Sequence, residues 1–171
     1  MLSRLTLAIV LLIGVAASSR AQEVGQHGVS VSGGFGLGGS TERGVVFTVD
    51  ASADWRPEPL FVSFRLAAAS VIFGDETREV GLLVGLTHRS GRWTASAGAG
   101  VGLVWLYDAP PWLLASPGDE GDLTGPFLSL PVSGELAVRV YGPFFVRLRG
   151  IASMNAGESF AGTSLGWGLW F

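Results

Sequence analysis

The sequence predicts an all-β protein: an eight-stranded antiparallel up-and-down transmembrane β-barrel preceded by a cleavable signal peptide. Three observations carry that expectation. Large apolar residues alternate with small or polar ones through nearly the whole chain after residue 21, and a strand written this way has one oily face and one thin face. Mean hydropathy is high, +0.44, yet beyond the N-terminal segment there is no apolar run of the ~18 residues that a spanning helix takes. The links between the alternating runs are short and long in turn, as in barrels that turn tightly on one rim and loop out on the other.

The N-terminus comes first. Arg4 supplies a positive start, Leu5 to Ala17 an apolar core, and Ser19-Arg20-Ala21 small residues at −3 and −1. Residues 1–21 therefore read as a secretory signal cleaved before Gln22. Their apolar core is short of the ~20 residues of a membrane anchor. The chain has no cysteine, which excludes lipoprotein acylation, disulfides and thiolate metal sites. Residues 22–171 form one domain, with nine arginines, no lysine and 14 acids, a net charge of −5. That balance argues against nucleic acid as a partner, since nucleic-acid binding wants a basic patch.

The alternating runs cover residues 28–38, 44–56, 60–73, 78–89, 92–107, 127–140, 144–154 and 161–171. Each reaches the ~9–11 residues of a tilted membrane strand. The first contains Gly34-Phe35-Gly36-Leu37-Gly38-Gly39, a G-x-G-x-x-G match. Alternation passes straight through it and another strand follows, whereas a dinucleotide site opens a helix there. The second run sets Val45, Phe47, Val49, Ala51, Ala53 and Trp55 on one parity, and the third Leu60, Val62, Phe64, Leu66 and Ala68. The fourth sets out Val80, Leu82, Val84 and Leu86. The fifth thins its other face with Gly98, Gly100 and Gly102. The sixth has Leu128, Leu130, Val132, Leu136, Val138 and Val140. It also holds Pro131, which cannot donate to a ladder; the expectation is that Phe127 to Leu130 rise above the bilayer, with Pro131 near the exit at a bulge. The eighth ends the chain with Thr163, Leu165, Trp167, Leu169 and Phe171 on the oily parity. A water-soluble barrel of lipocalin type would need Lys, Glu and Thr on its outer parity. Here the parity opposite the oily one is mostly Gly, Ser and Ala, suited to a narrow lumen.

Arg56-Pro57-Glu58-Pro59, Arg89-Ser90-Gly91-Arg92 and Tyr141-Gly142-Pro143 are the tight turns, with Ser90-Gly91 suited to a two-residue hairpin loop. Longer links lie near 39–43, 74–77, 108–126 and 155–160, and hold most of the acids. Both termini then fall on the short-turn rim. Aromatics cluster near strand ends, with Trp55, Trp93, Phe144 and Phe171 on that rim and Trp105 and Tyr107 on the other, where amphipathic rings meet the interface.

With these features in place, the chain resembles the small eight-stranded outer-membrane β-barrel proteins of Gram-negative bacteria. The resemblance rests on the signal peptide, the eight runs, the alternating links and the final Gly166-Trp167-Gly168-Leu169-Trp170-Phe171. It implies an outer-membrane location with the short turns periplasmic, and contact with outer-membrane lipid. It also implies that Trp167, Leu169 and Phe171 act as the signal read by the barrel-assembly machinery.

The inward parity carries Asp50, Asp54, Arg65, Glu79, Glu135, Arg139, Arg147 and Arg149. An eight-stranded barrel has an interior just wide enough to fill with side chains, and buried charges are costly unless paired. The turn positions put Asp50 opposite Arg65 and Glu135 opposite Arg149, and predict a neutral, salt-bridged plug. The function that follows is a structural or surface-interaction role, not an enzyme, with an extracellular partner met through the loops and no cofactor or metal. A second reading is a narrow passage or binding cleft for a small molecule. A third, a lipid A-modifying enzyme using His88 and Ser90 with an acid, is disfavoured because His88 and His27 both sit on the short-turn rim, away from the outer leaflet. In the longest link, the oily Ala109 to Leu114 leaves two readings open, a segment dipping into the membrane interface or a binding patch. The acidic Asp119-Glu120-Gly121-Asp122 lacks EF-hand spacing.

Overall fold

The computed structural model describes residues 27–42, 44–71, 75–108 and 122–171. The expected signal peptide and the oily and acidic segments of the longest link lie outside the described residues, apart from Asp122. Eight strands follow in order: β1 His27–Ser40, β2 Gly44–Pro57, β3 Leu60–Ser70, β4 Glu76–Ser90, β5 Trp93–Asp108, β6 Asp122–Tyr141, β7 Phe144–Asn155 and β8 Phe160–Trp170. Each pairs antiparallel with its sequence neighbour, and β1 pairs with β8 to close the ring. Among the described residues no helix is long and apolar enough to cross a membrane.

Alternation decides which face is which. Val45, Phe47 and Val49 on β2, Leu82, Val84 and Leu86 on β4, and Leu165, Trp167 and Leu169 on β8 all stand exposed on the outside. Val45 is 75% exposed and Leu128 69%, the reverse of a soluble barrel, where this parity would line the core. The other parity turns inward and is largely buried.

Closure is continuous to the chain end. The β1–β8 ladder runs from Ser30↔Trp170 to Ser40↔Phe160. Beyond it the Phe171 N–H donates to the Val29 carbonyl at 2.7 Å, and the Val29 N–H to the Phe171 carbonyl at 3.3 Å. On the outer face, Phe35 meets Trp167 edge-on across this seam, centroids 6.3 Å apart. On the inner face glycine is obligatory: a Cβ on Gly36 would stand 1.7 Å from the Thr163 carbonyl oxygen, a backbone atom. Gly36→Ala is therefore expected to destabilise the seam by about 1–3 kcal/mol, the scale of overpacking. Gly39→Ala, whose Cβ would meet nothing nearer than 3.5 Å, is expected to change little. Urea titration of the folded fraction on gels compares the two.

The hairpins correct the expected registers. β2 and β3 pair with Trp55↔Val62 and Asp50↔Ala67, so Asp50 does not face Arg65; Arg65 faces Ser52. The turn is centred on Glu58-Pro59 rather than on Pro57-Glu58. Pro59 then lies in the turn, where its missing N–H takes nothing from a ladder. In the next hairpin Ser90 pairs with Trp93, so the loop is Gly91-Arg92, one residue later than expected. Gly91, at φ +60°, takes the left-handed position that a tight hairpin demands. In the third, Tyr141 pairs with Phe144 and the ladder is irregular between Arg139 and Tyr141. That irregularity leaves Glu135 opposite Arg149.

Pro131 also departs from expectation. It is buried, in register with Ser153, and is not at a bulge. Its β5 side is where the ladder pauses, between Ala99↔Val132 and Gly102↔Ser129, so the absent donor falls in that gap. The β5–β6 irregularity lies higher, between Val104 and Leu106. The link from β1 to β2 is only residues 41–43, with Ser40 facing Gly44. The contrast of long and short links is thus carried chiefly by residues 109–121.

Candidate functional site

The inward side chains stack in three layers. Nearest the long-link rim, Val46, Ala67, Ala69, Ile151 and Phe160 form an apolar cluster with Val71 against it. Buried Glu158 accepts a hydrogen bond there from the Thr77 hydroxyl at 3.0 Å. Nearest the short-turn rim, Phe145 and Trp170 pack with ring centroids 5.2 Å apart. Between these caps lie the charges.

The central network joins strands from opposite walls. β2 contributes Asp50, Asp54 and Arg56, β6 contributes Glu135, and β7 contributes Arg147 and Arg149. Glu135 accepts from Arg56 Nη2 at 2.6 Å, Arg147 Nη1 at 3.3 Å, and Arg149 through both Nε, at 2.8 Å, and Nη2. Asp50 accepts from Arg147, from Arg149 Nη1 at 3.2 Å and from the Ser164 hydroxyl. Asp54 accepts from Arg56 Nη2 at 2.8 Å and from the hydroxyls of Ser30 and Ser52, both at 3.3 Å. Nearby, Arg65 pairs with Glu79 and donates to the Val132 carbonyl at 3.3 Å. Carboxylates and guanidiniums balance, and all eight residues are buried. Arg56 also stacks on the aromatic floor, 5.1 Å from the Trp170 ring and 5.9 Å from Phe61, adding a cation–π contact to its ion pairs.

Seven of the eight predicted lumen charges thus lie in these pairings, with two corrections. Asp50 and Arg65 do not meet: Asp50 is held by β7 and Arg65 by Glu79 on β4. Arg139 stays outside the network, half-buried at the short-turn rim beside Arg89, Arg92 and Trp170. Its place is taken by Arg56, which the sequence reading assigned to a turn. The signal was present, because Asp50, Ser52, Asp54 and Arg56 continue one parity.

The arrangement blocks the lumen. Arg65, Arg147 and Phe145 are each at most 1% exposed, and cross-strand side chains fill the space that eight strands enclose. The elements of the disfavoured hydrolase reading sit elsewhere: exposed His88 lies on the short-turn rim with Nδ1 3.8 Å from Glu58 Oε1, and His27 faces Pro57 at the same end. Among the described residues no three His, Asp or Glu converge to hold a metal ion.

A closed ring of eight antiparallel up-and-down strands, apolar outside and charge-filled inside, is the fold of the small eight-stranded outer-membrane β-barrels. Of the solved structures, Neisserial surface protein A superposes with TM-score 0.65 at 12% identity, covering 88% of this chain and 100% of its own. Ail, the attachment invasion locus protein of Yersinia pestis, in complex with the heparin analogue sucrose octasulfate, gives 0.61 at 14% identity, covering 86% and 100%. The N-terminal β-barrel domain of Pseudomonas aeruginosa OprF gives 0.60 at 11%, covering 86% and 99%. At these identities the likeness is one of fold. No protein-family model and no curated protein sequence matches the chain.

Proposed function

We propose that the chain is an exported, integral outer-membrane β-barrel with a structural or surface-interaction role, and neither a pore nor an enzyme. The observation that carries this reading is the combination of an apolar outer belt with a lumen blocked by ion-paired arginines. The belt suits a lipid surround; the plug leaves the loops as the surface available to a partner. The short-turn rim then faces the periplasm, and the opposite rim, from which the longer links leave, faces an extracellular partner. Two fold neighbours, one named a surface protein (Neisserial surface protein A) and one an attachment invasion locus protein (Ail), support the role. The test is fractionation of expressing cells followed by planar-bilayer recording of the purified barrel. Outer-membrane recovery without stepwise conductance is expected; stepwise conductance in the unmodified protein would overturn the plugged reading in favour of a passage.

Trp167, Leu169 and Phe171 serve in this reading as the assembly signal. Deleting Phe171 removes a terminal ring and the two backbone hydrogen bonds to Val29. Outer-membrane yield is expected to fall more than the ability of the purified chain to fold in detergent, read by heat-modifiable gel mobility. Normal yield of the deletion variant would remove the assembly role.

A further inference from the structure

Five of the described arginines, Arg56, Arg65, Arg78, Arg147 and Arg149, hold a carboxylate in an ion pair. Among the described residues Arg89, Arg92 and Arg139 have no such partner, and these three converge. They line one small depression at the short-turn rim, with Thr94 and Trp170 among its other walls. Backbone bonds fix the geometry: the Arg139 N–H donates to the Arg92 carbonyl at 2.9 Å, tying the β4–β5 turn to the end of β6. The Arg89 guanidinium lies 4.8 Å from the Trp170 ring centroid, which holds the side chain against the floor. Glu58 is the acid that acts on Arg89, but its carboxylate takes the Arg89 backbone N–H at 2.9 Å and faces His88.

Gathering three cations without a paired acid is unfavourable by itself, because like charges held close repel. An anion that accepts several guanidinium hydrogen bonds at once relieves that repulsion, and arginine forks match phosphate geometry. The same rim carries exposed Trp93, Tyr141 and Phe144, rings of the kind that mark a lipid headgroup level. We propose that Arg89, Arg92 and Arg139 form a binding site for a phosphate group, presented by the headgroup of an inner-leaflet anionic phospholipid or by free phosphate. The lipid source rests on the outer-membrane reading; the site itself does not.

The experiment is calorimetric titration of the folded barrel in maltoside micelles with inorganic phosphate and, separately, with phosphatidylglycerol in mixed micelles. Heat-modifiable mobility confirms folding first, so a failure of the barrel is distinguishable from a failure of the site. Binding is expected to weaken at least about tenfold in Arg92→Gln/Arg139→Gln, since each lost charge-assisted bond is worth about that factor. Arg78→Gln, at the opposite rim and paired with Glu76, is the control expected to bind as the parent does. Should the double variant not fold, Arg92→Gln alone, on an exposed turn, gives the same reading. Phosphatidylglycerol binding at least about tenfold tighter than phosphate assigns the lipid source; comparable affinities assign the free anion. The proposal is overturned if neither probe binds, if the arginine variants bind as the parent does, or if Arg78→Gln loses as much.

Discussion

Replacing Glu135 with alanine is expected to destabilise the folded barrel by about 3–5 kcal/mol, the scale on which breaking a buried ion pair is felt. Glu135 accepts hydrogen bonds from Arg56, Arg147 and Arg149 together. Its removal leaves those guanidiniums to share Asp50 and Asp54, with one buried positive charge uncompensated. Among the described residues the inward neighbours of the network are buried as well, so the stranded charge lies away from bulk solvent. The check is urea-induced unfolding from phospholipid vesicles, scored by the folded band on unheated gels. The pair Arg65 and Glu79 supplies an internal comparison: the double variant Arg65→Leu/Glu79→Leu is expected to be less destabilised than either single variant, since it strands no charge. A Glu135→Ala effect within about 0.5 kcal/mol, the range of surface substitutions, would show that the network is hydrated rather than buried.

The second large effect belongs to the outer face. Leu82 is half exposed at mid-strand on β4; on a protein facing water, arginine there would be nearly neutral. Facing hydrocarbon, Leu82→Arg is expected to cost about 2–4 kcal/mol, falling to about 0–1 for Tyr141→Arg at the rim, where headgroups and water reach the side chain. The same vesicle titration measures both. Equal effects at the two positions would mean that the belt is not embedded.

Strand count, side-chain parity and ring closure were legible because period-two alternation is a local property, strong in β2, β4 and β8. Pairing within the lumen was not. Asp50 finds its arginines 97 and 99 residues away on β7, across the barrel rather than across a hairpin, and a long arginine reaches beyond its register neighbours. Turn chemistry set the smaller errors. Shifting the first turn by one residue, to spare Pro59 a place in a ladder, moved the β2–β3 register by two and uncoupled Asp50 from Arg65. Arg56, one residue before a Pro-Glu-Pro turn, looked like the turn's own charge although it continues the lumen parity. Arg139 has that parity too, but lies too near the rim to reach the carboxylates of the network.

Because the chain has no native cysteine, single spin labels report unambiguously on the central claim, that the oily parity meets lipid. Labels placed by Val80→Cys, Leu82→Cys, Val84→Cys and Leu86→Cys in vesicle-embedded protein are expected to collide readily with oxygen, which concentrates in hydrocarbon, and little with a water-soluble nickel complex. Ready collision with the nickel complex at Leu82 and Val84, or protection from both reagents, would contradict the account.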